Sequence, residues 1–272
     1  MARQKIKYLS NSELLFEINE SKKTFCYFID DEYANYDYIV ESLSELEDGD
    51  IVELAREARA KRLNFIQNRN ALLGGVDLTT LVKILPTDVE TEDIVFRIMT
   101  YEHIPFMIEK PAKYVRIPFP PFKHYTLRKT EPPVEVGRSH WKDGLENGEF
   151  TTTAGRISNR LADMYMKLII RYGTKPNWRG YSYLDEMIAN ALLQFAAVAL
   201  KFNEAKSANP FAWYTTVASN SFKGTLKTEK KNQNIRDDLL IQGGSAPSFA
   251  KQMSDLEEQH AIRDSQELNK GS

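Results

Sequence analysis

The chain has 272 residues, 42% of them hydrophobic and 27% charged, a balance that excludes a chain too polar to bury a core. Its formal net charge is −2, so it lacks the overall basic bias of a stand-alone DNA binder, and any nucleic-acid contact must come from local patches or from a larger assembly. One cysteine, Cys26, excludes an internal disulfide and a thiolate zinc site, fits a reducing cytosol, and reads as a small buried hydrophobe between Phe25 and Tyr27.

In chain order, residues 1–8 are basic and polar, with no apolar stretch of a signal peptide. No apolar run approaches the roughly 18–20 residues that a membrane helix needs. Residues 11–22 predict a short helix, capped by Ser12 or Asn11, with Leu14, Leu15 and Ile18 on one face. Residues 25–39 mix aromatics with acids and predict a short strand and a turn. Residues 50–69 predict a helix with Ile51, Val52, Leu54, Ala55, Ala58 and Leu63 repeating on one side, broken at Gly74-Gly75. Residues 78–86 suit a short helix or a strand, 94–100 a strand, and 114–117 a second strand. Prolines at 118, 120, 121, 132 and 133 then predict a loop or linker through Gly148, the best internal boundary.

From Thr151 the pattern turns helical. Residues 153–172 place Ile157, Leu161, Met164, Tyr165, Leu168 and Ile169 on one stripe, and 173–180 form a turn. Residues 183–202 predict a long apolar helix, 203–209 a polar loop, and 211–227 a third helix entered through Pro210 at a first-turn position. A basic exit runs to Arg236, a flexible hinge follows at 243–247, and 248–268 suit one more charged helix.

The informative stretch is 183–231. One helix is apolar with a few acid and amide groups; the next opens with aromatics and closes with lysines. Aromatic rings can stack on unpaired bases, at roughly 1–3 kcal/mol per base, and lysines can track phosphates without reading sequence. Trp213, Tyr214 and Phe222 equally suit the core of a helical bundle, and a lysine run equally suits a solvated face.

Ordered phrases in this stretch resemble the late-transcription sigma factors of T-even-like phages, minimal relatives of the primary sigma family, over their region two. Glu186-Met187-Ile188-Ala189-Asn190 matches the opening of the helix that holds the polymerase. Lys201-Phe202-Asn203-Glu204 matches the turn that follows, and Asn209-Pro210, Ala212, Trp213 and Thr215 match the start of the melting helix. Asn220, Phe222, Lys227, Glu229 and Lys231 continue the register without a gap. A weaker match covers Lys7-Tyr8 and Asn11-Ser12-Glu13-Leu14-Leu15; residues 23–148 have no counterpart.

The resemblance implies a mainly α chain: a sigma region-two helical bundle in the C-terminal half, with an inserted α+β domain in the N-terminal half. Its parts would be an N-terminal helix (1–22), the inserted domain with its Pro-rich linker (23–148), the helical module (149–236) and a flexible tail with one helix (237–272). It implies that Glu186, Asn190 and Gln194, on one face at i, i+4 and i+8, meet the clamp coiled coil of the host RNA polymerase core. It implies that Asn209, Trp213, Tyr214, Thr216, Asn220, Lys223, Lys227, Lys230 and Lys231 face promoter DNA, with Trp213 stacking on the opened minus-ten element, Asn220 and Lys223 at the duplex or bubble edge, and Lys227, Lys230, Lys231 and Arg236 on phosphates. Thr216 and Val217 stand where primary sigma factors carry a tryptophan pair.

After residue 231 too little chain follows for a helix-turn-helix reading a minus-thirty-five element. A phage co-activator and a sliding clamp are therefore implied as further partners, although in this polar tail only Phe249, Met253 and Leu256 offer an apolar anchor. No phosphate-loop, CxxC or HExxH motif is present, His103 and His124 read as structural, and no catalytic site, cofactor or metal is expected. The expectation is a non-enzymatic initiation factor in the host cytoplasm. The alternatives are a polymerase-binding regulator that reads no promoter and a helical phage structural protein; an enzyme within 23–148 is a weaker third.

Overall fold

The computed structural model describes residues 9–110, 113–128 and 131–270. Lys7 and Tyr8, part of the N-terminal resemblance, lie outside the described residues, as do the last two residues of the chain. The chain divides into two compact units: residues through Leu168 with Phe195–Tyr214, and Ile169–Gln194 with Thr215 onward.

The first unit opens with helix α1 (Asn11–Lys23). Its N-cap is Ser10, whose hydroxyl accepts from Glu13 N at 3.1 Å. Asn11, predicted as a cap, instead accepts from the backbone N–H of Phe211 at 3.0 Å. Short strands β1 (Cys26–Phe28) and β2 (Tyr38–Val40) follow, then helix α2 (Gly49–Gly74), which stops at Gly75 in the left-handed conformation that glycine adopts without strain. The ambiguous 78–86 stretch is neither a regular helix nor a strand: short 3₁₀ turns, Leu78–Thr80 and Pro86–Asp88, flank an irregular 81–85. Strand β3 (Val95–Met99) matches its prediction, whereas 114–117 contributes only an isolated bridge between Tyr114 and Phe106.

The predicted linker is where the structure departs most from expectation. It contains β4 (Phe122–Arg128), β5 (Glu131–Ser139), and the two-stranded pair β6 (Trp141–Lys142) and β7 (Glu149–Phe150). The main sheet runs β1-β5-β4-β3-β2, with β2 parallel to β3 and the other pairs antiparallel. Pro132 and Pro133 are tolerated because β1 pairs β5 only over Gly137–Ser139, and a register shift opposite Thr126–Arg128 leaves the prolines outside the regular ladder. Gly137 is required: a Cβ there would lie 2.3 Å from the Phe28 ring.

With 54% helix, 13% strand and a mixed five-stranded sheet, the chain is an α+β protein, which corrects the expected mainly α region-two bundle. Proline-based boundary reading hid the two longest strands.

One face of the sheet (Val40, Phe96, Ile98, Tyr125) packs on Ala55 and Ala60 of α2. Side chains alternate along a strand, so Arg97 and its register partner His124 point to the other face. There Arg97 is held between the rings of Tyr36 and Phe122, 3.8 and 3.7 Å from their centroids, and donates to His124 Nε2 at 3.0 Å. Nε2 is thereby the acceptor, so His124 Nδ1 carries the proton and donates to Tyr33 O at 2.8 Å. A second buried cluster in this unit joins Tyr165 to Phe195, Ala199 and Tyr214.

The three predicted C-terminal helices appear as α3 (Asn159–Gly173), α4 (Leu184–Val198) and α5 (Pro210–Gln242), and the tail helix as α6 (Phe249–Lys270). α5 absorbs the predicted basic exit. In the second unit Tyr172, Trp178 and Phe222 form a ring cluster, with Phe222 edge-on to each of the others at 5.2 Å. Gly173 lets its helix approach α4: a Cβ would meet Ile188 Cδ1 at 3.3 Å. The start of α6 is fixed by Asp237 of α5, whose carboxylate accepts from Ser248 N at 3.0 Å and Ser248 Oγ at 2.7 Å. These bonds hold the Asp237 carboxyl below its ordinary pKa.

Candidate functional site

The first unit carries Trp213 in a cleft. The turn after α4 is built on Asn203, whose side chain accepts from Ala205 N at 3.0 Å while its carbonyl accepts from Lys206 N at 3.2 Å. Asn209 then accepts from Ala212 N at 3.0 Å as the N-cap of α5, and Pro210 takes the first helical position. The Asn-Pro phrase thus has a structural reason, and Asn209's side-chain oxygen is already engaged in it.

Trp213 follows one turn later, half-buried, its ring edge-on to Phe202 at 6.1 Å. It lines a cleft of about 490 Å³ together with Tyr101, Pro120, Pro121, Lys201 and Lys206. Sequence reading gave the first three of those residues no functional role, because they lie in the segment without a counterpart.

Tyr214 is a correction. It is fully buried. Its hydroxyl donates to Ala199 O and accepts from Tyr165 Oη at 2.7 Å, while its ring packs on Tyr165 at 4.7 Å and Phe195 at 5.5 Å. Burial pushes both phenols above their ordinary pKa. A neutral, doubly bonded core tyrosine is unavailable to DNA. Neighbours on a helix point about 100° apart, so the two rings take different directions, Tyr214 into the core and Trp213 to the cleft, and sequence alone did not say which would be buried.

The turn rests on an ion cluster absent from the sequence reading. Lys22, 1% exposed, donates to Phe202 O at 2.7 Å and to Glu204 Oε1 and Oε2 at 2.7 and 2.8 Å. Arg97 Nη1 lies 3.8 Å from the same carboxylate. Burial lowers the Lys22 pKa, and Glu204 opposes that shift. Cys26 lies beside this cluster, its thiol pushed up to about 12 by burial.

The second unit carries a separate groove of about 530 Å³. Glu186, Asn190 and Gln194 line it from α4, and Asn220, Thr225 and Thr228 from α5. Glu186 and Gln194 are exposed; Asn190 is half-buried and donates to Thr225 Oγ1 at 3.2 Å. The three side chains expected on the polymerase therefore do share a face, and Asn220, expected on DNA, lies in the same groove. Along α5, Ala218, Phe222 and Thr225 are buried, while Thr216, Asn220, Lys223, Lys227 and Lys230 follow a 4-3-4-3 spacing on an exposed stripe, with Lys231 also exposed.

Among the described residues no group of His, Cys, Asp and Glu could hold a metal ion, and no helix is long and apolar enough to cross a membrane. His103 Nε2 is 3.0 Å from Ser139 O, and His124 joins Arg97 to Tyr33 O. His140, which sequence reading left unassigned, is fully buried with φ 55°. Comparison with known proteins finds no matching family model, no matching curated protein and no matching solved structure.

Proposed function

We propose that this chain is a sigma-like transcription initiation factor of phage type, working in the host cytoplasm. It binds the host RNA polymerase core through Glu186, Asn190 and Gln194, and captures the melted strand of an AT-rich minus-ten-type promoter through Trp213. The observation that carries the reading is the half-exposed Trp213 in a lysine-edged cleft, in the ordered phrase context that resembles late sigma factors. Lys223, Lys227, Lys230 and Lys231 supply the sequence-blind phosphate contacts, with Thr216 and Asn220 on the same exposed stripe. Tyr214 has no part in DNA contact. The factor is not an enzyme. It binds unpaired bases only in the opened state and so shifts the duplex-to-bubble equilibrium.

The groove favours one second reading. Asn220 lies beside the acid and amide groups of α4, so the whole groove can serve a single protein contact. The chain would then be a polymerase-binding regulator that reads no promoter. The test is transcription from a supercoiled AT-rich late promoter by core polymerase with this protein. A discrete transcript that Trp213→Ala abolishes supports initiation. Polymerase binding without a transcript selects the regulator.

A further inference from the structure

The segment that has no counterpart in the sigma resemblance carries an exposed row of aromatic rings. Phe106 and Tyr114 stack at 4.6 Å with 18° between their planes, and Tyr114 continues to Tyr101 at 4.9 Å. They are 53%, 41% and 45% exposed. A core would bury such rings; here all three keep large open surface. Backbone bonds hold the row in place: Met107 N to Lys113 O at 2.7 Å, Val115 N to Pro105 O at 3.0 Å and Ile104 N to Tyr101 O at 3.0 Å, with an isolated antiparallel bridge between Phe106 and Tyr114. Tyr101 belongs both to this row and to the Trp213 cleft.

The charge around the row is cationic. Lys110, Lys113 and Arg116 stand on the same loop, and Lys201 and Lys206 edge the cleft. None of the five has an ion pair among the described residues. The opposing acids are Glu102, held by Lys123 at 3.0 Å, and Glu109. Rings a few ångströms apart with unpaired cations alongside are the elements of a single-strand platform: bases stack on the π-faces while the backbone tracks the charges.

We propose that Phe106, Tyr114 and Tyr101 form a stacking platform for single-stranded DNA that extends the Trp213 cleft. This assigns the inserted segment a role in holding the opened strand, and it rests on the initiation-factor reading for its physiological substrate. The row is preformed, so binding orders little protein.

The test is fluorescence anisotropy of the full chain with a labelled AT-rich single strand of about 12 nucleotides, and with its duplex, at low salt. The wild type is expected to bind the single strand more tightly than the duplex. Phe106→Ala with Tyr114→Ala is expected to weaken single-strand binding about tenfold or more, and Lys113→Ala with Arg116→Ala to flatten its salt dependence. Far-UV circular dichroism checks folding; if the alanine pair unfolds, Phe106→Leu with Tyr114→Leu keeps the apolar packing and removes the rings. Equal binding of duplex and single strand, or wild-type affinity in the folded ring-less variant, overturns the platform. Co-elution of each protein with core polymerase is read in parallel. Loss of co-elution by the wild type refutes the initiation reading and leaves the platform result standing on the oligonucleotide alone.

Discussion

Lys22 and Glu204, separated by 182 positions, form a buried ion pair at 2.7 Å that ties the first helix to the turn in front of Trp213. The same ammonium donates to Phe202 O, and Phe202 packs edge-on to Trp213. The geometry of the candidate DNA cleft therefore depends on a charge near the start of the chain. Removing one partner of such a pair leaves an uncompensated buried charge. Glu204→Ala should cost about 3–5 kcal/mol in urea unfolding followed by tryptophan fluorescence. Lys22→Met combined with Glu204→Met should cost clearly less. Equal losses would mean that packing, and not the unpaired charge, sets the effect.

Tyr214→Phe separates core from site. The variant loses the hydroxyl bonded to Ala199 O and Tyr165 and should lose about 1 kcal/mol of stability. Single-strand binding and polymerase binding should be unchanged. A large loss of DNA binding with intact folding would return Tyr214 to the interface.

Acid should destabilise the first unit through its buried imidazoles. Burial is the largest cause of the lowered pKa of His140, at about 3, and of His103, at about 4. Both are depressed below the ordinary 6.5, so the unfolded chain binds the extra protons. Their contribution is complete above about pH 6.5 and is lost as pH falls toward those folded values, at about 1.4 kcal/mol per unit for each group inside its window. His140→Asn keeps a residue that tolerates φ 55° and should flatten the stability profile between about pH 6 and 4. An unchanged profile would exclude His140 as the cause.

The lysine stripe of α5 predicts a salt effect. Replacing Lys223, Lys227 and Lys230 singly by Ala should weaken DNA binding at low salt, with little dependence on sequence. Each should lower the slope of log affinity against log salt by about 0.7–0.9. Slopes identical to wild type would show that the stripe is merely solvated.

Helices were legible from periodicity, and their order in the C-terminal half follows the apolar stripes of α3 and α4. The sheet was not. Prolines at 118–133 read as linker because a sequence does not reveal that β1 stops pairing β5 before Pro133 or that β4 and β5 shift register opposite the prolines. The groove residues Glu186, Asn190 and Gln194 were legible because i, i+4, i+8 spacing fixes a helix face without tertiary information. The Lys22–Glu204 pair, and Tyr101 beside Trp213, depend on long-range packing that no local pattern encodes.

The most direct measurement is permanganate reactivity of promoter thymines with core polymerase and this protein. Reactive thymines in the AT-rich element are expected with the wild type. With Trp213→Ala, the protein should still co-elute with polymerase and reactivity should be lost. Thymines that stay unreactive with the wild type despite a stable polymerase complex, or that remain fully reactive with Trp213→Ala, would contradict capture of the melted strand by Trp213.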